Sequence, residues 1–306
     1  DYSYSQSGWQ YLNPTPILRD YKNVYMLNDN TGIAVGYPLS VVKTTNAGIS
    51  WNVKNVSVPA GISLADFHQE NIYFKDDMTG YIGGNYLFKT TNAGESWFVL
   101  TQNFPQWYNE IKFTDSNHGF LLDGNFYTST NGGIAWTFRT PPFDYPGHPS
   151  KLRSMDFINS TKGFIAVSNG KLLKTIDGGL NWTQVMDTNR ANPFMKFKFL
   201  DINNAVMMTL NGKLFKSSDQ GMNWNLYGSA LSLDSVMFFK PISQNFIWGY
   251  GKQNSSYYFF KTTDGGLSWN STFIPDYFFL NKYDVTPNGT MFQSSGAGLL
   301  YKSTNF

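Results

Sequence analysis

The chain has 306 residues, of which 41% are hydrophobic and 14% are charged, and its formal net charge is +2. Four arginines in a nearly neutral chain argue against a nucleic-acid groove, because such a groove neutralises many phosphates. The lack of cysteine excludes disulfides, zinc-thiolate sites and thiol nucleophiles, and three histidines leave little room for a histidine-rich centre, so we expect neither a metal nor a cofactor.

Strand-forming and turn-forming residues dominate the composition. The chain contains 26 Phe, 19 Tyr and 9 Trp, and it is rich in Asn, Ser, Thr and Gly, which favour strands and tight turns. No run approaches about 18 consecutive apolar residues, so we predict no membrane span. We expect an extracellular, cell-surface or periplasmic bacterial protein. Because the chain opens at Asp1, we expect that a leader was removed or that the chain was trimmed.

The first predicted element is a lone strand at 7–12, and a repeated nine-residue phrase follows it. The tryptophans that end the six copies are separated by 46, 39, 46, 42 and 45 residues. A period of about 40–50 residues with turn signals in each unit is typical of propeller blades. The copies are KTTNAGISW (43–51), KTTNAGESW (89–97), TSTNGGIAW (128–136), KTIDGGLNW (174–182), KSSDQGMNW (216–224) and KTTDGGLSW (261–269).

Each unit predicts four short strands joined by tight turns. An inner strand with alternating apolar residues comes first, then a second strand, a third that ends in the Lys-Thr pair, and a fourth that begins at the Trp. Seven inner strands are predicted, around Val24, Ile72, Ile111, Met155, Phe197, Met237 and Tyr283.

The two ends of the chain complete each other. The partial seventh copy, KSTNF at 302–306, ends a third strand without a fourth, and the lone strand at 7–12 supplies the missing one. We therefore predict an all-β fold, a single seven-bladed β-propeller closed by the N-terminal strand in the last blade. The domain spans 1–306, with blades at 23–55, 69–101, 109–139, 151–186, 196–228, 234–273, and 280–306 plus 7–12. Because the last copy stops at Phe306, we expect further residues after it.

The repeated phrase itself has a structural explanation. Its Asp or Asn can accept hydrogen bonds from the backbone of its own turn, its Gly supplies a positive φ, and its Trp is buried between neighbouring blades. A calcium site is disfavoured because each copy has at most one carboxylate, whereas calcium needs about six to eight oxygens. The residues assigned to this structural role are Asn46, Trp51, Asn92, Trp97, Asn131, Trp136, Asp177, Trp182, Asp219, Trp224, Asp264 and Trp269.

This spacing resembles the Asp-box, or BNR repeat, of several propeller families. Asp-boxes occur in sialidases, xyloglucan-cleaving hydrolases, sortilin-type receptors and the photosystem II stability/assembly factor family. The segments at 72–97 and 156–182 are most similar to the last of these. The resemblance covers essentially the whole chain as seven blades, and it implies a non-catalytic role in binding and assembly.

Catalysis is the less favoured alternative. Sialidases of this fold share an arginine triad, an Arg-Ile-Pro segment and a Tyr/Glu nucleophile pair, and the chain has no Arg-Ile-Pro segment. A glycoside hydrolase would otherwise need a pair of carboxylates. The carboxylates considered for that role are Glu70, Glu95, Glu110, Asp66, Asp156, Asp234 and Asp284, and Glu95 lies inside an Asp-box on the wrong face.

The crossings from the outer strand of one blade to the inner strand of the next are the predicted recognition surface. They are rich in proline and aromatic residues and they differ from blade to blade, as binding loops on a rigid scaffold do. They occupy 13–23, 57–71, 102–110, 140–153, 187–197 and 273–283. The predicted ligand- or partner-binding residues are Arg19, Trp107, Tyr108, Tyr145, His148, Arg153, Arg190, Lys196 and Tyr277. The plain alternatives are aromatic side chains that cover blade edges, and arginines that pair with Asp20, Asp144 and Asp187.

A second candidate site lies in the middle of the inner strands. Alignment of these strands places polar residues at equivalent positions between apolar neighbours, where they would line or approach a central channel. One interpretation is a set of structural ion pairs, and the other is the floor of a ligand pocket. The residues are Tyr25, Tyr73, Lys112, Asp156, Lys198 and Asp284.

We therefore predict a non-catalytic binding, assembly or surface-associated protein that recognises a protein or peptide partner through its crossing loops. The first alternative is a carbohydrate-binding propeller that takes a polysaccharide or glycan, and the second is a sialidase-like glycoside hydrolase. No nucleic-acid partner is expected.

Overall fold

The computed structural model describes residues 9–12, 20–60, 69–84, 86–101, 110–122, 125–139, 152–188, 193–274, 282–294 and 300–304. These residues form strands and turns without a helix. The chain divides into two compact units, Asp1–Tyr108 with Tyr277–Phe306, and Asn109–Asp276, which we call unit 1 and unit 2.

Unit 1 contains three sheets. The first has the order β2-β3-β4-β5, the second β6-β10-β9-β8-β7, and the third β1-β29-β28-β27. The bounds are β1 Trp9–Tyr11, β2 Asp20–Met26, β3 Gly32–Tyr37, β4 Ser40–Thr44, β5 Asn52–Val53, β6 Asn55–Ser57, β7 Gln69–Phe74, β8 Gly80–Gly84, β9 Leu87–Thr90, β10 Ser96–Thr101, β27 Tyr283–Val285, β28 Met291–Ser294 and β29 Leu300–Ser303.

Unit 2 contains four sheets, each a meander of four antiparallel strands in chain order. The bounds are β11 Glu110–Phe113, β12 Gly119–Leu122, β13 Phe126–Ser129, β14 Thr137–Arg139, β15 Leu152–Phe157, β16 Gly163–Val167, β17 Lys171–Thr175, β18 Thr183–Asp187, β19 Phe194–Phe199, β20 Ala205–Thr209, β21 Leu214–Ser217, β22 Asn225–Leu226, β23 Ser235–Pro241, β24 Ile247–Gln253, β25 Ser256–Thr262 and β26 Asn270–Ile274.

The seven sheets are the blades of a seven-bladed β-propeller, which confirms the predicted fold class. All seven predicted inner strands are present, as β2, β7, β11, β15, β19, β23 and β27. The N-terminal strand is the outer strand of the last blade, because β1 pairs antiparallel with β29, with Trp9 opposite Ser303 and Tyr11 opposite Tyr301.

Three details differ from the sequence prediction. The outer strand begins one residue after the Trp in five of the six Asp-box blades, and only in β10 does it include the Trp. Residues 52–57 form β5 of one blade and then β6, which pairs parallel with β10 of the next blade. Several crossings are also shorter than predicted, because the inner strands begin earlier: β2 begins at Asp20 and β7 at Gln69.

The cores lie between neighbouring sheets within each unit. The second strand of a blade is covered on both faces, so β3, β8, β16 and β20 are buried almost throughout and read as continuous apolar runs. In unit 1, Leu12, Phe292 and Leu300 of the last blade pack with Val24 and Trp51 of the first. This packing fixes the positions of neighbouring inner strands relative to one another within the unit.

Candidate functional site

The Asp-box turn satisfies its own polar groups. In the copy at 174–182, the Thr175 hydroxyl donates to Asp177 Oδ1 at 2.8 Å and accepts from the Gly179 N–H at 2.9 Å. Asp177 Oδ1 also accepts the Asn181 N–H at 2.9 Å, and Trp182 Nε1 donates to the Gly179 carbonyl at 3.2 Å. The equivalent Ser/Thr-to-Asp/Asn bond measures 2.6–3.0 Å in all six copies.

Each Asp-box turn also docks onto the inner hairpin turn of its own blade. The N–H of the residue before the Gly donates to a carbonyl of that hairpin at 2.8–2.9 Å in all six blades, for example Gly178 to Thr161. Two successive residues of each box have positive φ, such as Gly178 at 72° and Gly179 at 91°. The glycine therefore meets a backbone requirement, since L side chains rarely adopt this conformation.

The carboxylate boxes are held as anions by their own turns. The Asn181 backbone N–H, with further hydrogen bonds, lowers the pKa of Asp177 to about 2, and the Asn223 backbone N–H does the same for Asp219. In the described part of the chain no group of three or more His, Asp or Glu residues could hold a metal ion. We keep the interpretation of the Asp-box as a structural part of each blade.

The predicted crossing-loop residues are mostly not described. Arg153 lies exposed in β15, and Lys196 lies partly buried in β19, both near the start of an inner strand. Asp20, considered as an arginine partner, pairs with Lys22. The other predicted residues lie outside the described residues: Arg19, Trp107, Tyr108, Tyr145, His148, Arg190 and Tyr277.

The inner-strand residues occupy equivalent positions in the strand registers. Each pairs with a second-strand residue one step before the last pair of its hairpin: Lys112 with Phe120, Asp156 with Phe164, and Lys198 with Val206. Tyr25, Tyr73 and Asp284 hold the same position in their own blades.

The seventh member of this set is Lys240, which the sequence analysis missed. Lys240 pairs with Trp248 one step before the end of its hairpin, whereas Met237 lies at a β-bulge between Val236 and Phe238. The residue equivalent to Ile111 and Met155 is therefore Phe239, so the sequence prediction centred this inner strand two residues too early. The signal in the sequence was Lys240 itself, between Phe239 and Pro241, both of which are buried.

Three carboxylates tie neighbouring inner strands together. Glu110 of β11 accepts the Met155 N–H of β15 at 2.7 Å, and Asp156 of β15 accepts the Phe199 N–H of β19 at 2.8 Å. In unit 1, Asp284 accepts the Met26 N–H of β2 at 2.7 Å. We call these contacts the carboxylate bridges. They give Asp156 and Asp284, both buried, a structural role.

Lysines surround the carboxylate bridges of unit 2. Lys112 Nζ lies 2.7 Å from Asp156, and Lys196 Nζ lies 3.3 Å from Glu110 and 5.6 Å from the centre of the Phe238 ring. Burial raises the pKa of Glu110 and outweighs the opposing effect of Lys196.

Lys198 differs from these neighbours. Burial among protein atoms lowers its pKa to about 8, and repulsion from Lys240, Lys112 and Lys196 adds to that shift, while Asp156 opposes it. Its side chain is nevertheless exposed to solvent.

The equivalent residues of unit 1 form a more aromatic group. Burial raises the pKa of Tyr25 and keeps its phenol neutral, with Asp284 and Tyr73 adding to the effect. Tyr25 stacks on Phe74 with ring centres 5.6 Å apart, and Tyr73 stacks on Tyr81 at 6.4 Å. In unit 1 the residues of this set around the buried Asp284 carboxylate are therefore uncharged tyrosines.

The carboxylates considered for hydrolysis are engaged elsewhere where they are described. Glu95 lies 2.7 Å from both Lys43 and Lys54, and Asp234 accepts the Asn254 N–H at 2.8 Å. Asp156 and Asp284 belong to the carboxylate bridges. Asp66 and the side chain of Glu70 lie outside the described residues.

Comparison with known families gives a match inside this fold. Residues 97–232, less than half of the chain, match the model of the family described as Photosynthesis system II assembly factor YCF48. The photosystem II assembly lipoprotein Ycf48 of Synechococcus sp. (strain CC9902) is 37% identical over 83 residues, which are 26% of this chain and 24% of that protein. The alignment thus spans about a quarter of that relative.

Solved structures match nearly the whole chain at low identity. YCF48 bound to D1 peptide has a TM-score of 0.63 at 16% identity and covers 98% of both chains. YCF48 from Cyanidioschyzon merolae has a TM-score of 0.62 at 14% identity, covering 97% of this chain and 98% of its own. Virginiamycin B lyase from Staphylococcus aureus reaches 0.68 at 9% identity, covering 96% and 98%.

Because a lyase scores as high as the assembly factors, these structural matches establish the fold and not the activity. The resemblance to the assembly-factor family is nonetheless confirmed by the sequence match. The chain is a seven-bladed Asp-box propeller whose residues 97–232 are similar to the YCF48 assembly factors.

Proposed function

We propose that the protein is a non-catalytic binding propeller that recognises a protein or peptide partner in an assembly role. The match of residues 97–232 to the YCF48 family carries this proposal. A solved relative in that family is YCF48 bound to D1 peptide. The Asp-box turns make their hydrogen bonds within their own blades, so they serve the fold. The segments that vary from blade to blade are then the better candidates for recognition.

The partner surface that we propose is the crossing-loop face, with the residues named in the sequence analysis. Two of them are described, Arg153 and Lys196, and both are cationic residues near the start of inner strands. Arginine and lysine at such positions favour acidic or carboxylate-bearing segments of a partner.

An extracellular, cell-surface or periplasmic location in a bacterium completes the proposal. The Synechococcus relative is a lipoprotein by name. Among the described residues no helix is long and apolar enough to cross a membrane.

Chemical crosslinking in the native cell envelope tests this proposal. Lys22, Lys196 and Lys282 lie at the start of inner strands, and we expect their links to map onto one partner protein. Lys89 and Lys261, near the ends of third strands, serve as the internal control. Links confined to these two lysines would overturn the surface assignment.

A matched pair of variants sharpens the result. Arg153→Ala with Lys196→Ala should reduce partner capture at least fivefold, and Lys89→Ala with Lys261→Ala should leave it unchanged. Equal capture by both double variants would contradict the proposal. Binding of an isolated sugar without any protein partner would favour the carbohydrate alternative.

A further inference from the structure

We propose that the inner strands of unit 2 form a binding site for an oxyanion group, a carboxylate or a phosphate, centred on Lys198. The site lies on the faces of β11, β15, β19 and β23 and is a different site from the crossing loops. It does not depend on the protein partner proposed above, and it would bind a small anionic ligand.

The charge of this surface is unbalanced. Among the described residues, the equivalent inner-strand positions of β11, β15, β19 and β23 hold three lysines, Lys112, Lys198 and Lys240, and one carboxylate, Asp156. Three like charges at the same level of neighbouring strands repel one another, which costs free energy unless anions or water screen them.

The two carboxylates near these lysines, Asp156 and Glu110, already accept hydrogen bonds from other groups. Asp156 Oδ1 forms an ion pair with Lys112 and accepts a hydrogen bond from the Phe157 N–H at 3.0 Å. Its other oxygen accepts a hydrogen bond from the Phe199 N–H. Glu110 accepts the Met155 N–H and contacts Lys196. Neither carboxylate is hydrogen-bonded to Lys198.

Lys198 is a cation whose hydrogen-bond donors can still bind a ligand. Within the described part of the chain its ammonium group makes no hydrogen bond and no ion pair. Its three N–H donors are therefore available, in an exposed position near Lys240. Lys240 of the neighbouring β23 and Lys112 of β11, two blades away, both repel the Lys198 ammonium, and a bound oxyanion would relieve this repulsion.

The alternative is that Lys198 is hydrated and binds no ligand. The two hypotheses predict different effects of removing the Lys198 charge on anion binding and on stability. If the site binds an anion, Lys198→Met loses binding and keeps or gains stability, because an unfavourable charge is removed. If Lys198 instead stabilises the blades, Lys198→Met lowers the stability and no anion affects the wild type.

Isothermal titration calorimetry at constant ionic strength tests the site with two probes, inorganic phosphate and the dicarboxylate succinate. Each is compared with sodium chloride. We expect at least one probe to bind the wild-type chain, and Lys198→Met and Lys240→Met each to weaken it at least tenfold. Lys213→Met, which removes an exposed lysine elsewhere in unit 2, should bind like wild type.

The choice between the probes identifies the source of the oxyanion. Phosphate binding without succinate binding assigns a phosphate ligand, and the reverse assigns a carboxylate ligand. Absence of binding by both probes, or equal weakening by Lys213→Met, would overturn the proposal.

The pH dependence supplies a second readout. The charged groups that act on Lys198 are Lys240 of β23, Asp156 of β15, Lys112 of β11 and Lys196 of its own strand. An oxyanion favours the protonated lysine, so the affinity should fall as the pH rises above about 8 and the wild-type pKa should rise on binding. Lys198→Arg, which stays protonated, should retain affinity at pH 9. An affinity that does not change between pH 7 and 9 would count against Lys198 as the ligand-binding residue.

Discussion

At the scale of single residues, the Asp-box position that closes the turn is Asp in three blades and Asn in the other three. Asn46, Asn92 and Asn131 make the same backbone contacts as Asp177, Asp219 and Asp264. The geometry is therefore independent of charge, but the response to pH is not. Only the carboxylates can be protonated, and the turn binds them better as anions.

We predict that the three Asp boxes make the protein acid-sensitive in a defined window. Folding lowers the pKa of all three, so their stabilisation is complete well above the unfolded value of 3.8 and is lost as the pH falls towards the folded value, which is about 2 for Asp177 and Asp219. The turns of Asp177 and Asp219 should each contribute no more than about 1 kcal/mol, because they are accessible to solvent. The measurement is the free energy of unfolding in urea at pH 7, 4 and 2.5.

Asp177→Asn is the matched variant, because Asn occupies the same site in three other blades. It should stay close to wild type in stability at pH 7 and lose less stability between pH 4 and pH 2.5. Asn131→Asp should gain the pH dependence that Asp177→Asn loses. An unchanged pH profile in both variants would show that the turns do not bind the anion preferentially.

At the scale of elements, residues 52–57 connect two neighbouring blades of unit 1. They provide β5 to one sheet and β6 to the next, and Lys54 between them pairs with Glu95. Glu95 also pairs with Lys43, whose side chain is only 6% exposed. Other boxes carry an exposed aliphatic side chain at the position of Glu95, such as Ile49 and Leu180. Glu95 therefore has a role specific to this blade pair.

We predict that Glu95→Gln destabilises the protein by about 1–3 kcal/mol at pH 7, since it leaves the buried Lys43 ammonium without its counter-charge. The two lysines lower the pKa of Glu95, with the Lys43 hydrogen bond as the largest cause. The stabilisation is thus present above the unfolded value of 4.5 and is lost as the pH falls below it. Urea unfolding of the variant at pH 7 measures the loss.

Lys54→Met serves as the comparison, because it removes the more exposed of the two lysines and leaves the Lys43 pair intact. Its effect should be below about 1 kcal/mol. A larger loss for Lys54→Met than for Glu95→Gln would mean that the covering of the blade edge, and not the buried charge, holds the two blades together.

At the scale of the whole molecule, the two ends of the chain share one sheet. Gln10 pairs with Lys302, and the Leu12 N–H donates to the Leu300 carbonyl at 2.9 Å. Leu12 is buried with Phe292 and Trp51. Because these partners are nearly a full chain apart in sequence, their contact is non-local, and non-local contacts slow folding.

We predict that Leu12→Ala destabilises the protein by about 2–4 kcal/mol, since it removes buried methyl groups and leaves a cavity in the core of the last and first blades. Gln10→Ala, an exposed position two residues earlier, in β1, should change the stability by less than about 0.5 kcal/mol. Equilibrium urea unfolding compares the two variants with wild type. Equal effects would show that the strand contributes through backbone pairing alone.

Much of the fold was predictable because its signals are local. The Thr175 hydroxyl, Asp177, Gly179 and Trp182 act within one turn, so their spacing in the sequence reports the turn directly. The candidate site was less predictable. Lys112 and Asp156 were identified by alignment, but Lys240 was missed because the strand was centred on Met237, whereas the hairpin pairing places Phe239 at the equivalent position.

The sequence alone determined the blade number, the strand order and the closing strand, since period, turn chemistry and alternation of apolar residues are properties of neighbouring residues. Only the tertiary structure decided which charges meet. The pairing of Lys43 with Glu95, the bridge from Asp156 to β19, and the repulsion between Lys198 and Lys240 arise between blades. Electrostatic energies depend on distance and on burial, and both are determined by the packing of strands that are far apart in the chain.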